Sequence, residues 1–257
     1  MNKISNTKLV EWMDELLRPE TFRDACPNGF QVVGKEEIST VVTCPSVSLE
    51  LFEKSAESGA DAILVHHGLF WDRDTRVIQK PMSQRLKILL NRELNLFAYH
   101  LPLDANREVG NNAKLADLAE LNDRDWSFGL YHGMPIGVCG RLHEPRELGE
   151  LASLLEKQLD ANPVTFEFCR RPVSRLGIVS GGAGDISMVV ECANKGCDAL
   201  LTGEVFEQTV AVGRELGIGL IAGGHYNTEK LGVRALGDRM AEQLGIRVIH
   251  LDIPNPV

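Results

Sequence analysis

Four of the seven histidines stand where short apolar runs end, beside other groups able to bind a metal. His66 and His67 follow Ala62-Ile63-Leu64-Val65, His100 follows Leu96 to Tyr99, and His225 follows Leu220 to Ala222. Neutral imidazole is the commonest protein metal ligand. Consecutive side chains at a strand end point to opposite sides, so His66 and His67 could each serve a different ion. His100 and Asp104 form an H-x-x-x-D spacing, and His225 and Glu229 form H-x-x-x-E. Three segments with the same ligand types at the same structural location point to a metal centre.

Each residue also has a plain structural reading. A histidine near a strand end is often a satisfied, half-buried residue. Asp104 follows Pro102 and could be a turn residue. Glu229 precedes KLGVRALGDRMAEQL and could be a first-turn acid answering the helix dipole. The joint pattern favours metal binding over all three.

The elements that must position these groups alternate. Strand patterns at 40–44, 61–65 and 95–99 flank helical patterns at 48–59 and 82–94. A second series returns with strands at 175–181, 198–203 and 219–224 around helices at 185–196 and 205–216. Such alternation predicts an α/β fold with parallel sheets. Laying residue 61 on residue 198 matches Ala56/Ala193, Gly59/Gly196, Asp61/Asp198, Ala62/Ala199 and Leu64/Leu201, and sets His66 and His67 against Gly203 and Glu204. With a length difference allowed, His100 and Asp104 fall against His225 and Glu229. The expectation is two related α/β halves, 1–128 and 129–257, packed about a pseudo-two-fold axis with the metal site in the cleft between them. Ligands gather beyond the carboxyl ends of strands in such sheets.

The formal net charge of −9 gives no electrostatic reason to expect nucleic-acid binding. No apolar run approaches the roughly 20 residues that cross a bilayer. The opening residues place Leu9, Val10, Met13, Leu16 and Leu17 at helical spacing, with Ser5 or Asn6 available as a cap, so this is an amphipathic helix and not a signal peptide. Six cysteines without a C-x-x-C pair fit free, mostly buried thiols in a reducing cytoplasm.

The ordered segments VHHG (65–68), YHLPLDA (99–105), GGAGD (181–185), DALLTGE (198–204) and GGHYNTE (223–229), with PNGFQVVG at 27–34, resemble the NIF-three-like dinuclear metal-centre family, often labelled GTP cyclohydrolase 1 type 2 homologues. The resemblance covers nearly the whole chain. It implies His66, His67, Asp104, His225 and Glu229 as ligands of two divalent metal ions, with His100 beside them. It also implies a two-domain α/β protein assembled as a toroidal homohexamer.

A metal-dependent hydrolase acting on a nucleotide or related small molecule is the leading expectation. Mixed nitrogen and carboxylate ligation suits iron, manganese or zinc. Glu204 and His100 are the candidate catalytic proton carriers. The competing expectation is a non-catalytic metal-binding scaffold or regulatory protein acting through a ring-shaped oligomer. Three lesser features are GGAGD, a phosphate-binding turn or a plain strand-to-helix joint, Phe70 and Trp71, placed to line a cavity, and Arg73, in a solvated loop or a phosphate contact.

Overall fold

Short β-branched and leucine-rich runs, each followed by an amphipathic segment, build two open sheets with helices packed on them. The computed structural model describes residues 2–256. It divides into two compact units, Met1–Leu103 with Gly232–Pro254, and Asp104–Leu231 with Asn255–Val257. The division falls inside two helices, Leu101–Ala105 and His225–Leu244. The units therefore cut the chain differently from the sequence halves 1–128 and 129–257. Arg247–His250, near the end of the chain, pairs in parallel with Thr40–Ser46 and joins the first sheet. Leu121–Asp125 pairs with Val138–Arg146 and belongs to the second.

The first unit's five-stranded sheet has the order Arg247–His250, Thr40–Ser46, Ala62–His67, Asn95–Ala98, Gly29–Val32. The first four are parallel and the last is an antiparallel edge. Near-continuous burial along Thr40–Ser46 and Ala62–His67 explains their unbroken apolar runs, because a parallel strand is covered on both faces. Ser48 caps the helix Leu49–Glu57, accepting the Leu51 N–H at 3.0 Å, and this helix packs Leu51 and Phe52 on Val42, Ile63 and Val65. The opening helix, Asn6–Leu17, has Ser5 as its cap and buries Leu9, Met13 and Leu17.

The second unit's six strands run Val164–Phe166, Gly219–Ala222, Ala199–Thr202, Val173–Val179, Val138–Arg146, Leu121–Asp125. Only the central Gly219–Ala222, Ala199–Thr202 and Val173–Val179 are parallel. Its core sets Leu148, Leu151 and Leu155 of the helix Leu148–Leu159 against Leu176, Ile178, Leu201 and Ile221.

The internal repeat is visible in hydrogen bonding. Asp61 Oδ2 accepts the N–H groups of Ser39 (2.9 Å) and Thr40 (3.2 Å), and Asp198 Oδ2 accepts those of Ser174 (2.9 Å) and Arg175 (3.0 Å). Each carboxylate also pairs with a cation, Lys35 at 3.1 Å and Arg171 at 2.8 Å. Both thus tie one parallel strand to the start of the next. The repeat fails by one residue further on. Strand pairing aligns Val65 with Ala98 and Thr202 with Ala222, which sets His225 against Leu101 and not His100. His225 is accordingly the first residue of its helix, whereas His100 precedes its own. The free slack allowed in the sequence alignment hid that shift.

All six cysteines are free thiols, five of them buried and Cys169 half-buried. Among the described residues no helix is long and apolar enough to cross a membrane.

Candidate metal centre

In the first unit, His66 and His67 are the last two residues of the strand Ala62–His67, and His100 lies two residues beyond Asn95–Ala98 on the neighbouring strand. Parallel pairing brings these strand ends side by side. Ligand atoms of the three imidazoles lie within 4.8 Å of one another. His66 is fully buried, and its Nδ1 meets the Tyr99 carbonyl at 2.9 Å. A carbonyl can only accept, so the proton sits on Nδ1 and Nε2 carries the lone pair. This is the tautomer a metal ligand needs. His67 Nδ1 is 2.9 Å from the Ser46 hydroxyl on the adjoining strand.

His100 Nδ1 donates to Asp24 at 2.8 Å. Burial would raise the Asp24 carboxyl, but the His100 ring, the Asn28 amide and the Cys26 N–H outweigh it and hold the acid at about 2. Asn28 ties the same segment down, since its Oδ1 accepts the His100 N–H at 2.8 Å and its Nδ2 donates to Asp24 at 3.0 Å. Gln31 accepts the Leu69 N–H at 2.6 Å. A Cβ at Gly68 would stand 2.2 Å from the Gln31 amide, so a larger residue in the turn after His67 would push that amide off the Leu69 N–H. The PNGFQ segment thus clamps the backbone around His67 and His100.

In the second unit, Asp104 is buried and lies in the helix Leu101–Ala105, not in a turn. Its Oδ1 accepts from Asn111 Nδ2 (2.8 Å) and Ser180 Oγ (3.0 Å), which fixes the carboxylate plane. His225 opens the helix His225–Leu244, and Glu229 lies one turn on rather than in the first turn. The i, i+4 spacing sets both on one face, with Nε2 and Oε2 3.0 Å apart. His225 Nδ1 meets Glu204 Oε1 at 2.5 Å. Burial would lower the His225 imidazole, but Glu229 and Glu204 outweigh it and lift it to about 9. Glu204 therefore sits where it orients His225.

The GGAGD turn runs between these groups. Gly181, at φ +65°, passes so close to Glu229 that a Cβ would lie 1.9 Å from its Oε1 and 3.1 Å from His225 Nε2. Asp185 caps the following helix Ile186–Asn194 with its own carboxylate, 3.2 Å from the Met188 N–H. The glycines make room for the carboxylate and histidine, and the helix start already carries an anion. The phosphate-cradle reading loses its support on both counts.

Phe70 and Trp71 line a cavity reached by His67, as expected, whereas Arg73 is absent from its walls. Sequence reasoning missed Asp24, Ser46, Asn111 and Ser180, which hold the candidate ligands or His100. Asp24 is 76 residues from His100 along the chain, and no local spacing announces the pair.

The model of the Duf34/NIF3 (NGG1p interacting factor 3) family matches residues 4–256. The chain is 39% identical over 248 residues to the GTP cyclohydrolase 1 type 2 homolog of Pyrococcus horikoshii, covering 96% of this chain and 97% of that one. It is likewise 39% identical over 256 residues to the homolog of that name in Haemophilus influenzae, covering 98% and 100%. A solved structure described as protein ybgI, unknown function, superposes with a TM-score of 0.92 at 38% identity, covering 99% of this chain and 100% of that one. Matched almost end to end by the family model and by both relatives, with His66, His67, His100, Asp104, His225 and Glu229 all inside the matched span, the chain belongs to the Duf34/NIF3 family.

Proposed function

We propose that this chain is a metal-dependent hydrolase in which His66, His67, Asp104, His225 and Glu229 hold two divalent ions, iron, manganese or zinc, and act on a nucleotide or related small molecule. The observation that carries the reading is the convergence of His66, His67 and His100, with the His66 proton fixed on Nδ1 by a carbonyl. The donor set fits such ions: imidazole nitrogens and carboxylate oxygens, with no thiolate. In this reading Asp104, His225 and Glu229 join His66 and His67 as ligands, as the family resemblance implies. When bound, the ions would supply Lewis-acid polarisation and hydroxide near neutral pH.

The chain's own residues have distinct tasks. His100, its Nδ1–H held by the ionised Asp24, accepts a proton at Nε2 and returns it to the leaving group, and Asp24 stabilises the charged ring. Glu204 positions His225 through Nδ1. Asn111 and Ser180 position Asp104. The relatives' name, GTP cyclohydrolase 1 type 2 homolog, supports a nucleotide as the first substrate class to try. We also propose the homohexamer that the family resemblance implies.

The test is product release from a panel of nucleotides by anaerobically purified protein loaded with each metal. Turnover that stops on chelation and falls at least 100-fold in His67→Ala supports the reading. Turnover indifferent to chelation sinks it. No turnover of any nucleotide, with loss of the oligomer in the ligand variants, favours the scaffold.

A further inference from the structure

A cavity of about 760 Å³ opens beside His67, within the first unit, and its walls have two chemistries. That volume suits a ligand of nucleotide size. One wall is flat and apolar. Trp71 is locked by its Nε1–H to the Gly68 carbonyl (3.2 Å) and stands edge-on to His100 with ring centres 5.0 Å apart. Phe70 lies beside it, and Val77 and Ile78, each 61% exposed, complete the apolar rim. Exposed branched side chains on a loop cost solvation unless something covers them.

The other wall is cationic. Arg76, Lys80 and Arg85 line it, and none has an acidic partner among the described residues. Arg85 Nε is shielded from solvent yet has no hydrogen-bond partner among the described residues. That Nε is as closed to a ligand as to water, but Arg85 itself is half-buried and lines the cavity, where a phosphate would pair with the charge of its guanidinium. Two carboxylates share the cavity, Asp72 and Asp74, and Asp74 Oδ2 already accepts the Trp71 N–H at 2.9 Å. Three cations therefore face two acids, one of them engaged.

We propose that this cavity is the substrate seat, taking a phosphate monoester that carries a planar ring, with the ring against Trp71 and the phosphate on Arg85, Arg76 and Lys80. The inference rests on the hydrolase reading for what happens at His67, and it deepens that reading by assigning the walls that would hold the substrate's ring and phosphate.

Calorimetric titration of the full-length protein with GMP, guanosine and inorganic phosphate tests it, with metal per chain measured for each variant. The expected result is that GMP binds at least tenfold tighter than guanosine or inorganic phosphate. Arg85→Gln should then weaken GMP at least tenfold while metal content stays at the wild-type level. The exposed pair Arg76→Gln with Lys80→Gln should weaken GMP too, and guards against a folding defect in the first variant. Equal GMP affinity in wild type and Arg85→Gln, or GMP no tighter than guanosine, overturns the anion wall. Inorganic phosphate as tight as GMP overturns the ring wall. Arg85-dependent GMP binding by a protein that holds no metal would leave the seat standing and remove the hydrolase instead.

Discussion

His66 and His100 each commit the Nδ1 proton to a fixed acceptor, a backbone carbonyl in one case and the Asp24 carboxylate in the other. In the proposed mechanism that difference separates a ligand, His66, from a proton carrier, His100. Asp24 is held at about 2 against an ordinary 3.8, so its stabilisation is complete above pH 4 and is lost as pH falls through 2. Asp24→Asn should lower stability at pH 7 by about 1–2 kcal/mol and flatten the acid-unfolding curve between pH 4 and 2, as followed by circular dichroism. An unchanged acid limb would contradict the pairing. At Gly181, positive φ and the Glu229 contact act together. Gly181→Ala should cost about 1–2 kcal/mol in urea unfolding from backbone strain alone, and more from displacing Glu229. The candidate ligands were legible because residue type and strand-end position coincide in sequence. Asp24, Ser46 and Ser180 were not, because they reach their partners only through tertiary folding.

At the scale of elements, each unit stakes its parallel strands on a carboxylate at a strand start. Asp198 is buried and serves two backbone N–H groups and Arg171. Asp198→Ala should destabilise by about 1–3 kcal/mol in urea unfolding, because it strands those two N–H groups, while the exposed Arg171 stays solvated. A loss under about 0.5 kcal/mol, the level of an ordinary surface change, would show that the clamp is dispensable. The Asp61/Asp198 identity was readable in sequence as a repeat, and the central strands were readable as unbroken apolar runs. The antiparallel edges were not. Arg247–His250 has an exposed arginine and an exposed histidine at its ends, and only its parallel pairing with Thr40–Ser46 makes it a strand of the first sheet. The one-residue offset between His100 and His225 was equally hidden, since strand pairing and not residue identity sets it.

At the scale of the molecule, the family match accounts for the ordered motifs from one end of the chain to the other. The proposed hexamer predicts the mass of six chains by light scattering, and a monomeric mass at all concentrations would contradict it. The central claim is that the five side chains of the candidate centre hold two ions. Metal per chain, measured by plasma mass spectrometry on anaerobically purified protein, tests it most directly when wild type is set beside His67→Ala and Glu229→Ala. About two ions per wild-type chain are expected, falling to about one or fewer in each variant. Wild-type metal content in both variants, or no metal in the wild type even after reconstitution, would contradict it.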